Sequence, residues 1–156
     1  MKRIILFAVS AIALAFTGCQ HQDPVRDALI EKAGNLATVS DITYDAAYSS
    51  SKVLSIYWNP ESAINAGASS FKIVVSEELF EFSDAEAGAS NSKTYEVKAN
   101  ATPNDALRIT SDIVEGTPYY IKVAAVYPGP STSAWVYLLG EDGEPAPVVA
   151  GQGIVK

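Results

Sequence analysis

From Leu36 onward, apolar residues recur at every second position, in short runs separated by clusters of Ser, Asn, Gly, Pro and Asp. A strand sends successive side chains to opposite faces, so a period of two requires sheets that each bury one face. In Leu54-Ser55-Ile56-Tyr57-Trp58, residues Leu54, Ile56 and Trp58 share such a face, and Asn59-Pro60 ends the run because proline has no N–H for the ladder. Phe71, Ile73 and Val75 form the next inward set, Tyr95 and Val97 a third, and Leu107 and Ile109 a fourth. Tyr119, Ile121, Val123 and Ala125 make a fifth; residues 38–44 supply a strand at the start, and residues 134–139 an aromatic-rich one at the end. Seven short strands predict an all-β, immunoglobulin-like Greek-key sandwich. The sole cysteine, Cys19, precedes this region, so the sandwich is held by its core alone. Roughly 110 residues can build such a core without staples.

The most specific signal lies in Ile113-Val114-Glu115-Gly116-Thr117-Pro118-Tyr119. Its spacing resembles the Leu-x-Pro-Gly-Thr-x-Tyr corner of the fibronectin type III family, and Leu54-Ser55-Ile56-Tyr57-Trp58-Asn59-Pro60 is similar to that family's second strand, with its central tryptophan. The resemblance covers residues 36–140 and implies a seven-stranded sandwich in which Tyr119 buries its ring and bonds backbone ahead of its strand. Gly116 would supply a positive φ for the corner. Glu115 stands where the family has proline. Leu107 and Ile109 sit one place out of phase with Ile113, which implies a bulge or a reset between them. Residues 76–93 are longer than the family's usual link, so they are expected to hold an extra strand or to cover a sheet edge. Residues 141–156 read as a Pro/Gly-rich tail.

Ahead of the sandwich, Lys2 and Arg3 open the chain, residues 4–16 are apolar, and Phe16-Thr17-Gly18-Cys19 follows. That is the layout of a signal peptide over residues 1–18, with an apolar run too short for the ~20 residues of a spanning helix. The segment resembles the bacterial lipobox, with Phe16 in place of the usual leucine. The resemblance implies cleavage before Cys19 and a membrane anchor of lipid on its thiol, palmitate included. Gln20 is not the aspartate that retains many such proteins at the inner membrane, so an outer-membrane location is expected. Residues 19–35 read as a tether with a short helix, Asp23 capping it, Pro24 at its first position and Gly34 ending it. Signal and composition together resemble the small lipoproteins of gut-type Bacteroidetes, whose sandwich domains serve in surface glycan capture or as spacers.

The inventory of reactive groups is thin. His21 is the single histidine and lies in the tether, so no Ser-His-Asp or Cys-His set can form within the sandwich. No catalytic residue, cofactor or metal is assigned. Glu77, Glu78, Glu81, Asp84 and Glu86 crowd one segment, which fits a calcium site, a paired acid and base, or a solvated acidic rim. The rim is favoured, because neighbours in a strand point to opposite faces. Cleavage would remove two of the 11 basic residues and none of the 18 acidic ones, taking the formal charge from −7 to −9. Nucleic acid is thereby excluded as a partner, since phosphate contacts need clustered Lys and Arg.

Aromatic residues are the surplus. If Tyr119 faces the core, Tyr120 and Lys122 face outward, joined by Val74 and by one of Trp135 and Tyr137. Three roles stay open for this strip: cover by the tail, a protein partner, or a carbohydrate whose rings stack on it. The expectation is a non-enzymatic, lipid-anchored binding or scaffold module. A spacer at the N-terminal end of a larger surface enzyme, joined through residues 140–156 as a linker, is the alternative, and an edge-pairing structural subunit a third.

Overall fold

The computed structural model describes residues 35–79, 92–99, 105–129 and 131–155. The signal segment, Cys19, His21 and the tether helix therefore lie outside the described residues, as do Glu81, Asp84 and Glu86.

Two antiparallel sheets pack face to face. One comprises β1 (Ser40–Tyr44), β2 (Leu54–Asn59) and β5 (Asp105–Ile109), in the order β1-β2-β5. The other is built on β3 (Ser70–Ser76), β4 (Ser92–Lys98) and β6 (Pro118–Tyr127), with β6 and β4 on either side of β3. The expected inward sets all face the interface: Leu54, Ile56, Trp58, Phe71, Ile73, Val75, Ile109, Tyr119, Ile121, Val123 and Ala125 form one buried cluster, with Tyr95, Val97 and Leu107 against its margin. The Trp58 and Phe71 rings meet edge to face, 5.6 Å between centroids at 63°. Such a pair contributes roughly 0.5–1.5 kcal/mol beyond the area it buries.

Strand β2 ends at Asn59, and the chain then makes one helical turn, α1 (Glu61–Asn65), which alternation alone did not announce. Asn59 Oδ1 accepts the Glu61 N–H at 3.0 Å, and Ala63 is fully buried, so this turn closes one end of the sandwich. At the same end the Tyr127 hydroxyl donates to the Ala37 carbonyl at 2.6 Å, with the Ala63 carbonyl at 3.5 Å. The entering chain is thus fastened to the last residue of β6.

The corner at Tyr119 forms as its spacing implied. Gly116 has φ +78°, and the Val114 N–H donates to the Tyr119 hydroxyl oxygen at 2.9 Å. The phase change before it needs no bulge in β5, whose register with β2 is unbroken from Leu54↔Ile109 to Trp58↔Asp105; the reset falls in the loop after Ile109. The irregularity is instead in β1, between Ser40 and Thr43, where Asp41 has φ 51°.

Opposite β3, the free edge of β6 is filled by three short segments in turn: β7 (Ser131–Thr132), β8 (Val136–Tyr137) and β9 (Val148–Val149). From Val126↔Thr132 to Val123↔Val136, β6 advances three residues and its partner four, so one residue is extra. Ser133 spans that bulge, donating its N–H to the Ala125 carbonyl and accepting the Ala125 N–H on its hydroxyl. From Lys122↔Tyr137 to Tyr119↔Val148 β6 advances three and its partner eleven, so eight residues loop out before the ladder resumes. A final segment, β10 (Gly153–Ile154), pairs outside β9.

The boundary expected at residue 140 is corrected by this arrangement. Val148 and Ala150 belong to the core cluster, so residues 141–155 are part of the sandwich rather than a tail or linker. Their Pro and Gly residues shape two tight turns, and the valines between them supply the apolar surface that a separate tail would not bury.

Candidate functional site

Outward residues of the β6 sheet carry the aromatic strip, and its parts have different environments. Lys122 pairs with Val74 on one side and Tyr137 on the other. Val74 is only 1% exposed and Lys122 only 2%, so the middle of the strip is closed and Val74 offers no contact surface. The Lys122 Nζ lies 4.5 Å from the centroid of the Trp135 ring, a cation–π contact in a nearly dry setting. Burial also pushes the Tyr137 phenol above its ordinary pKa. The expectation that only one of Trp135 and Tyr137 faces outward is corrected. Val136 and Leu138 pack on the core, and residues two apart share a face, so Trp135 and Tyr137 both point away from it.

Tyr120 lies beyond this closed part, half-buried and beside open space. A groove of about 730 Å³ borders it, lined otherwise by residues of the segment between β8 and β9 and by Ile154 and Val155. The β6–β9 register, taken one step past Tyr119↔Val148, sets Pro147 beside Tyr120, and the Val155 N–H bonds the Pro147 carbonyl at 2.9 Å. Tyr120, Pro147 and Val155 therefore form a row that runs from β6 past the near ends of β9 and β10, and all three line the groove.

One wall is a hairpin folded back on itself. Leu139 and Pro145 form a bridge, the Ala146 N–H donates to the Leu138 carbonyl at 3.1 Å, and the Gly140 N–H to the Glu144 carbonyl at 2.9 Å. Gly143 has φ +81°, and Asp142 Oδ1 accepts the Glu144 N–H at 3.2 Å. A Cβ at position 140 would lie 3.0 Å from Asp142 Oδ1 and 3.1 Å from the Ala146 Cβ, so the crossing is close and a larger residue would need its neighbours to shift. The hairpin carries Glu141 and Asp142, both exposed, into the groove lining. Sequence reasoning assigned none of these wall residues to a site. The Asp142-Gly143 pair between Leu138-Leu139 and Val148-Val149 is the turn signal that marks such a hairpin.

The acidic segment after β3 is described only at its start, where Glu77 and Glu78 are exposed. Among the described residues no group of three or more His, Cys, Asp or Glu could hold a metal ion. A smaller cluster ties β4 to the loop before the corner: Asp112 accepts hydrogen bonds from the Lys93 ammonium and, at 3.2 Å, from the Tyr95 hydroxyl. The Lys93 hydrogen bond holds the Asp112 carboxyl below its usual range, whereas burial and then the Asp112 charge push Tyr95 up to about 12.

No family model and no curated protein matches the chain.

Proposed function

We propose that the chain is a non-enzymatic binding module of the fibronectin type III kind, displayed at the outer membrane through lipid on Cys19, with the groove over Tyr120 as its contact surface. The observation that carries the binding reading is Tyr120 itself, an aromatic ring half-buried at an open groove of about 730 Å³. Grooves of that size, with apolar walls and a few polar groups, are where proteins take ligands. The fold assignment draws on the pairing of β1-β2-β5 against β4-β3-β6 and on the Tyr119–Val114 corner. The anchor draws on Lys2, Arg3, the apolar run and Gly18-Cys19.

The reading is tested in cells supplied with labelled palmitate, comparing the wild-type chain with Cys19→Ala. Label and outer-membrane fractionation are expected for the wild type alone. Equal membrane association of both forms, or an unlabelled wild type, would overturn it.

A further inference from the structure

We propose that the groove over Tyr120 takes a lysine or arginine side chain presented by an extended segment of a partner protein. The inference deepens the binding-module reading by naming the chemistry of the ligand. Tyr120 contributes an aromatic side chain, Pro145, Pro147 and Val155 contribute apolar walls, and Glu141 and Asp142 are the charged groups among the described residues. Among the described residues, no Lys, Arg or His lines the groove. Anionic ligands are therefore disfavoured by like charge, and the chain's net charge of −7 acts in the same direction at longer range.

Neutral and cationic ligands remain, and hydrogen-bond polarity separates them. A sugar ring presents hydroxyls that both donate and accept, so it is best held by a mixture of partners. The side chains here are acceptors, two carboxylates, beside a single phenol that can donate. An ammonium or guanidinium is donor-only, which matches acceptor-only carboxylates, and its aliphatic stem suits the proline and valine walls. The ring supplies the remaining attraction, since a cation near an aromatic face is stabilised. Two other aromatic rings of this domain already meet a cation of the chain itself: Trp135 meets Lys122 at 4.5 Å and Tyr48 meets Arg108 at 4.7 Å. Among the described residues lining the groove at Tyr120 there is no such cation, and an incoming one would make the same pairing. An extended segment suits the site because the floor continues the β6, β9 and β10 pairing and is flanked by a hairpin wall.

The test uses the full chain, purified in a non-ionic detergent, and nuclear magnetic resonance shifts of Tyr120, Ala146 and Val155. Three probes are titrated separately: a blocked Ala-Lys-Ala peptide, its norleucine counterpart, and a neutral oligosaccharide such as cellohexaose. Saturable shifts are expected with the lysine peptide and not with norleucine. The affinity is expected to fall about tenfold or more in Glu141→Gln, in Tyr120→Ala, and on raising salt to ~1 M, where screening acts within roughly 3 Å. Tyr120→Phe keeps the ring and is expected to keep binding. Because Glu141 is exposed, its variant leaves the core resonances in place and serves as the folding control. Equal shifts with norleucine, no saturable shift in the folded wild type, or sugar binding indifferent to salt and Glu141 would each overturn the proposal. Failure of palmitate labelling would leave these titrations unaffected, so the two readings fail separately.

Discussion

The backbone N–H of Gly151 donates to the hydroxyl oxygen of Tyr44 at 2.9 Å, joining the last turn of one sheet to the first strand of the other. Gly151 has φ +79°, and a Cβ there would lie 2.8 Å from the Ser51 backbone nitrogen. Gly151→Ala therefore combines an unfavourable backbone conformation with a clash against main chain, and a loss of about 1–3 kcal/mol is expected. Urea unfolding measures it, with the midpoint lowered and the slope unchanged. Ending the chain after Gly140 goes further, because it removes Val148 and Ala150 from the core and uncovers the end of β6. That truncated form is expected to lose its cooperative transition, and a sharp transition at the wild-type midpoint would refute the placement of residues 141–155 in the sandwich.

Tyr119→Phe isolates the corner. The substitution keeps the buried ring and deletes the acceptor of the Val114 N–H. About 0.5–1.5 kcal/mol should be lost. Faster amide exchange at Val114, with the rest of β6 still protected, is the local signature expected beside the lower urea midpoint.

Trp58 offers a contrasting case. Its ring is fully buried, and its Nε1 is the one buried side-chain polar atom without a hydrogen-bond partner among the described residues. Trp58→Phe relieves an unsatisfied donor while leaving a void, so the two effects oppose and the net cost is expected well below the ~3–5 kcal/mol of Trp58→Ala. Comparable losses in the two variants would show that volume alone sets the stability at this position.

Protonation at Asp112 and Tyr95 predicts opposite behaviour at the two ends of the pH scale. The folded-state pKa of Asp112 is below its ordinary 3.8, chiefly through the Lys93 hydrogen bond, so the unfolded chain binds its proton more readily. The stability it contributes is complete above the unfolded value and is lost as pH falls through the folded one. Tyr95 is raised to about 12, so the folded chain holds that proton more tightly and stability declines from pH 10 towards 12. In Asp112→Asn the acid limb should flatten, and the Tyr95 resonance should titrate earlier than in the wild type while still above 10, because burial remains. A Tyr95 titration curve unchanged by the substitution would count against the Asp112 contribution.

How much of this was legible in the sequence depended on whether a residue's neighbours were local. Leu54, Ile56 and Trp58 announced their face by alternation, and the Gly116 and Tyr119 corner announced itself because its hydrogen bond spans only five residues. Two kinds of feature were not legible. Residues 134–139 are apolar on both faces, so alternation could not orient Trp135 and Tyr137; the bulge at Ser133 and the pairing Lys122↔Tyr137 settle it. Residues 141–155 read as a tail because Val148 and Val149 are too short a run to mark a strand, and only the edge of β6, far off in sequence, gives them a partner. The burial of Val74 is hidden from the sequence for a related reason: alternation sets which way a side chain points, and not what lies over it.

The clasp between Tyr127 and Ala37 bears on how the domain would carry mechanical load. The β1–β2 ladder begins at Ser40↔Asn59, so a pull from the N-terminal side would open it from that end, one rung after another, at low force. Tension arriving along the chain meets Ala37 first, where the Tyr127 hydroxyl holds it against β6 beneath α1. The strain is passed to the central strand of the opposite sheet before the first rung is loaded. For a domain held by its N-terminal side, that bond acts as a stress relief, and Tyr127→Phe would leave the first strand to peel.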